Sequence, residues 1–138
     1  MSALVKEYDS FSALLKAIDE QLNNLRQQLA NYLRRLEDVR AKAEQEKKLR
    51  EFLKTLTGEE APPSQGKIVD LKDIKLYINP GAEAESALLE DLIDRINKSI
   101  QALQTARKYL EPLAGFDIEA KIIVIYKEGV PSAIIIRY

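Results

Sequence analysis

Residues 4–43 read LVKEYDSFSALLKAIDEQLNNLRQQLANYLRRLEDVRAKA. Apolar side chains recur through them at alternating spacings of four and three: Leu4, Tyr8, Phe11, Leu15, Ile18, Leu22, Leu25, Leu29, Tyr32, Leu36, Val39 and Ala43. A seven-residue recurrence keeps one stripe of a helix turned toward a partner helix. No Gly or Pro interrupts residues 2–57. Good helix formers dominate there, so the spacing predicts a single helix of about 54 residues, on the order of 80 Å long. Beyond Ala43 the grid lands on Glu46 and Arg50, while apolar residues resume at Leu49, Phe52, Leu53 and Leu56. Such a phase slip locally rewinds a coiled coil or marks a change of partner. It divides a coiled-coil stalk, residues 1–45, from a head, residues 46–138.

Outward from the stalk, residues 58–66 contain Gly58, Pro62, Pro63 and Gly66 and read as a linker. Residues 67–79 alternate Ile74, Leu76 and Ile78 with Lys75, Tyr77 and Asn79, the pattern of one strand or two short ones. Asn79 and Pro80 suit a helix start, and Glu111-Pro112 a stop, which gives a second helix over 80–111. Its apolar face is broad, carrying Leu89, Leu92, Ile93, Ile96, Ile100, Leu103 and Leu110. Residues 117–138 then read as a β-hairpin turned at Glu128-Gly129-Val130-Pro131, in which Ile122, Val124, Ile134 and Ile136 hold the strands together. The expected fold class is α+β: a long N-terminal coiled-coil helix, and a second helix packed on a small, mainly antiparallel sheet with a C-terminal β-hairpin.

Charge and composition exclude whole classes of function. Across 138 residues, 21 Lys and Arg nearly cancel 22 Asp and Glu, so the chain lacks the positive excess that non-specific attraction to a phosphate backbone requires. There is no Cys and no His, which removes disulfides, thiolate chemistry, the usual zinc sites and the commonest general base. The first residues show no basic segment followed by an apolar core, and no stretch approaches the roughly 18 apolar residues of a membrane span. A cytoplasmic protein is expected, with no membrane partner. The absence of Cys, the single Met and the 31% of charged residues lean toward a hyperthermophile.

The same charges suggest which helices lie together. Arg34, Arg35, Arg40, Lys42, Lys47, Lys48, Arg50 and Lys54 bias the end of the first helix toward basic, and Glu83, Glu85, Glu90, Asp91 and Asp94 bias the start of the second toward acidic. Antiparallel packing would set these stretches side by side. Because the second helix is roughly 45 Å long, it is expected to cover only the C-terminal half of the first. Residues 4–26 would then lack a partner within the chain. Self-association is expected through Leu4, Tyr8, Phe11, Leu15, Ile18, Leu22, Leu25 and Leu29, most simply as a homodimer. A first helix kinked back onto itself is the competing arrangement. Replacing Leu22 and Leu25 with Lys should dissociate such an oligomer, with sedimentation as the check.

Candidate sites are few. The carboxylate pairs Asp19-Glu20, Glu59-Glu60 and Asp91/Asp94 fall on exposed helix faces or a loop rather than across a cleft. The five glycines are dispersed singly, so no phosphate-cradling loop is present. No catalytic residue, cofactor, metal or small-molecule substrate is expected, and the chain does not read as an enzyme. Arg34, Arg35, Arg40, Lys47, Lys48, Arg50 and Lys54 form the one anion-facing group, which reads as a face paired with the acidic second helix. Left unpaired, it would suit a nucleic-acid accessory role. The Ile-rich strand over 132–138 needs its edge covered, and sheet continuation across a homo-oligomer is the simplest answer. The expected function is that of a non-enzymatic, homo-oligomeric scaffold or adaptor that also binds another protein.

Two helices bracketing a β segment, over about residues 1–112, resemble the outline of prefoldin subunits, whose helical arms extend from a β-rich body. The chain departs from that outline in its unequal helices and in the hairpin after the second one. No family-specific motif accompanies the likeness, so no residue roles are carried over. What it implies is a holdase, with exposed arm tips suited to unfolded clients.

Overall fold

The computed structural model describes residues 4–59, 66–116 and 119–138. The first helix, α1, runs Phe11–Thr57, so its start lies at Phe11 and not near Ser2. Ser10 sets that boundary. Its Oγ accepts the Ala13 N–H at 3.0 Å, and its carbonyl accepts the Leu14 N–H at 3.2 Å, which satisfies donors that a helix start leaves open. At the other end Gly58 adopts φ 73 and donates its N–H to the Lys54 carbonyl, closing the helix with the left-handed residue that glycine supplies most easily.

Upstream of the cap, Val5–Tyr8 form a strand, β1, where the seam predicted helix. Leu4 and Tyr8 fall on the helical grid, yet they also share one face of a strand, whose period is two. Pairing with a distant strand decides between the readings, because it gives those backbone groups a ladder that an extended helix would not offer.

After α1, the segment expected at 67–79 forms two short antiparallel strands, β2 (Lys67–Asp70) and β3 (Lys75–Ile78). Gly66 enters this hairpin so close to the Ile78 and Asn79 carbonyls that a side chain there would overlap them. The second helix, α2, spans Ala82–Leu110, and a 3₁₀ turn, Glu111–Gly115, follows at the expected Pro112 stop. The last two strands are β4 (Lys121–Lys127) and β5 (Val130–Arg137). Asp117 and Ile118, expected in the first of these, lie outside the described residues, as do residues 60–65 of the expected linker.

The class is α+β, with β1, β4 and β5 forming a three-stranded antiparallel sheet ordered β1-β4-β5 and β2-β3 a separate two-stranded one. The two-residue turn Glu128-Gly129 has positive φ at both positions, which matches the twist of the flanking strands. Ser132 is the extra residue of a bulge where the register shifts after Ile125, and its Oγ donates to the Ile125 carbonyl.

The chain divides into two compact units, Met1–Ala30 with Asp94–Tyr138, and Asn31–Ile93. The expected boundary at residue 45 falls inside the second of them. In the first unit Phe11, Leu14, Leu15, Ile18 and Leu22 of α1 are buried together with Ile96, Ile100, Leu103 and Leu110 of α2 and Ile122 and Val124 of β4. Leu14 lies off the seam and is 0% exposed. In the second unit the buried apolar residues are Leu36, Val39, Ala82, Leu89 and Ile93, a much thinner core.

The expectation that residues 4–26 stand unpartnered is therefore corrected. From Phe11 to Leu22 the stripe is buried within the chain: Arg107 near the end of α2 holds Asp19, and Phe11 shares a small cleft with Ile122 and Ile136 of the sheet. The expected Leu22→Lys effect changes with it: a cation placed at this buried site should unfold the first unit rather than split an oligomer, lowering stability by about 3 kcal/mol or more. Denaturant melts followed by circular dichroism, with the parent alongside, check this.

Candidate functional site

The residues expected to join subunits do not form a free stripe. Phe11, Leu15, Ile18 and Leu22 are buried, and Leu25 and Leu29 are half-buried on the same face. Tyr8 sits in β1 opposite Ile122, and its hydroxyl is hydrogen-bonded to that of Tyr126. Leu4 is exposed, and its carbonyl accepts the Tyr126 N–H at 2.7 Å. One ion pair closes the stripe's flank. Arg107 of α2 donates from Nε and Nη2 to the two carboxylate oxygens of Asp19, and this hydrogen-bonded charge pair raises the guanidinium pKa above its ordinary value.

Three of the basic residues of α1 are matched by α2. In the second unit Arg35 binds Glu85, Arg40 binds Glu90, and Arg50 stands 3.9 Å from Glu83. Lys54 is also partnered. Arg34, Lys47 and Lys48 are exposed. The alternating charges of α1 and α2 thus meet as the sequence suggests, and the group offers a phosphate backbone far less than its raw count of cations implies. All of these pairs are surface pairs, each contributing about 0–1 kcal/mol, so they select which stretches face each other more than they hold them.

A cleft of about 310 Å³ in the second unit is lined by Glu46, Arg50, Gly66, Ile68, Tyr77 and residues 80–84. Its charged groups are the Arg50–Glu83 pair and Glu46, and it holds no nucleophile beside a base. Among the described residues, no group of three or more acidic side chains is placed to hold a metal ion.

What the sequence reading missed is the distribution of apolar surface. Leu49, Phe52, Leu53 and Leu56, the residues after the phase slip, are exposed on the last turns of α1, Phe52 at 59% and Leu56 at 66%. The β2-β3 hairpin lies beside this part of α1, since Ile68 and Tyr77 share the cleft with Glu46 and Arg50. The hairpin also exposes Ile68, Leu71, Ile74, Leu76 and Ile78. Register puts Val69, Leu76 and Ile78 with Lys67 on one face, and Ile68 and Tyr77 with the charge pair Asp70 and Lys75 on the other, so the first face is the more apolar. The available signal was the length of the two helices. A partner of 29 residues cannot cover one of 47, and with the first turns of α1 covered, the deficit falls on its last turns.

Comparison with protein-family models, curated proteins and solved structures gives no match to this chain.

The tyrosine pair gives this end of the sheet a pH dependence. Burial, and then the hydrogen bond to Tyr8, push the Tyr126 pKa well above the ordinary phenol value. The folded state therefore favours the neutral phenol. The stabilisation is fully present below the unfolded pKa of about 10 and is lost as pH rises above it. Alkaline unfolding of Tyr126→Phe should show a shallower loss of stability above pH of about 10 than the parent, as read by melts across that range.

Proposed function

We propose that this chain is a non-enzymatic, homo-oligomeric structural or scaffold protein, and that its subunits associate through the apolar end of the second unit. The observation that carries the reading is the contrast within that unit: a core of Leu36, Val39, Ala82, Leu89 and Ile93 against the exposed Leu49, Phe52, Leu53 and Leu56 with the apolar hairpin beside them. Burying each such side chain is worth about 1.5–3 kcal/mol, and a contiguous patch of this kind marks an interaction surface. A two-stranded hairpin is marginal alone, and among the described residues β2-β3 has no further strand on either edge, so identical hairpins from other copies would complete it. A further protein partner, held by the assembled scaffold, belongs to the same proposal.

The setting proposed is cytoplasmic, and the Cys-free, charge-dense composition suits a hyperthermophile. No described helix is long and apolar enough to cross a membrane. A second reading, a prefoldin-like holdase, is favoured by the helix–hairpin–helix order of α1, β2-β3 and α2 and uses the same exposed apolar side chains for unfolded clients. A nucleic-acid accessory role is weaker, because Arg35, Arg40 and Arg50 already face carboxylates.

The double variant Phe52→Glu/Leu56→Glu changes only exposed positions and should keep the helical signal of the parent. Light scattering after size exclusion should give the parent a mass of two or more chains and the variant a smaller one. A parent that stays monomeric at micromolar concentration defeats the scaffold reading. Suppression of a client's thermal aggregation by the parent but not by the variant would favour the holdase.

A further inference from the structure

The edges of the three-stranded sheet are unlike one another. On one side β1 is four residues long and carries Lys6 and Glu7, which discourage pairing with another strand. On the other, β5 is eight residues long, and Arg137 at its end is its one charge. Ile136 pairs with the buried Ile122 and so belongs to the inner face, yet it remains 43% exposed. Alongside this edge runs a groove of about 360 Å³ between residues 131–134 of β5 and Ala106, Tyr109 and Leu110 of α2. No charged residue lines it.

We propose that β5 is a self-pairing edge through which two copies join antiparallel, continuing each three-stranded sheet into one of six strands. This rests on the homo-oligomeric reading above but uses a different surface, in the other unit.

The occupant follows from charge and symmetry. Arg137 ends the strand and Glu128 stands in the turn before its start, both exposed and neither ion-paired among the described residues. A two-fold axis centred near Ala133 sets Arg137 of each copy beside the Glu128-Gly129 turn of the other, so the same charge match forms twice. Lys127 sits one strand further in, on β4, and is more distant from the incoming Arg137. Identical strands paired this way bring no like charges opposite one another along the ladder. The inner-face Ile134 of each copy would then lie over the other's groove beside Tyr109, which is 75% exposed. Backbone hydrogen bonds supply the affinity and this side chain the register.

The test substitutes Ala133, an exposed outer-face residue at the centre of the proposed pairing. In the Phe52→Glu/Leu56→Glu background, which removes the other surface, the protein should be a dimer. Ala133→Glu or Ala133→Lys added to it should weaken that dimer by at least about tenfold, because each places two like charges opposite one another. Mixing the two variants should restore a dimer of one copy of each, and that recovery shows that both still fold. Amide hydrogens of residues 132–137 should exchange more slowly in the dimer than in either single variant. A dimer whose mass and exchange are unchanged by Ala133→Glu overturns the proposal, as does a background protein that is already monomeric. Neither result depends on whether the second unit associates.

Discussion

A helix of 47 residues set against one of 29 cannot be covered along its whole length, and the rest of the structure is arranged around that shortfall. The first turns of α1 are enclosed most completely, because they meet both the end of α2 and the sheet. This double cover is why Leu14 is buried alongside Leu15 and Ile18. A two-helix seam needs only one stripe, whereas a helix wedged between a helix and a sheet needs a wider one. The uncovered length then falls at the other end of α1, where Leu49, Phe52, Leu53 and Leu56 face water.

Much of this was legible in the residues. The absence of Gly and Pro foretold α1, Gly58 its end, Pro112 the stop after α2, and Glu128-Gly129 the last turn. The opposite charge biases of the two helices anticipated the pairs of Arg35 with Glu85 and Arg40 with Glu90. Periodicity also identified the buried stripe correctly, from Phe11 to Leu22. It could not say what covers the stripe, because a spacing records that a face is apolar and carries no information about the surface opposite it.

β1 escaped for a related reason. Leu4 and Tyr8 satisfy a period of seven and a period of two alike, and the tie is broken by Val124 and Ile122, which are more than a hundred residues away in sequence. The cap at Ser10 was the local clue, since a hydroxyl just ahead of Phe11 marks a helix start as well as any apolar spacing. For the exposed apolar surface, the phase slip after Ala43 pointed to Leu49, Phe52, Leu53 and Leu56. Reading it as a domain junction hid that they stay exposed.

The pairing of β1 with β4 also governs the order in which this molecule can acquire its structure. Val5 meets Ile125, so the first unit is sewn together from the two ends of the sequence, while the second is a continuous stretch in its middle. On a ribosome, residues 31–93 emerge as a complete set of neighbours, whereas the sheet must wait until the strand after residue 120 has been made. Loop closure on that scale is slow compared with forming a local hairpin. The nascent chain therefore carries Phe11, Leu15 and Ile18 without their sheet until the strand after residue 120 has been made, and in that interval they too are open to capture by other chains.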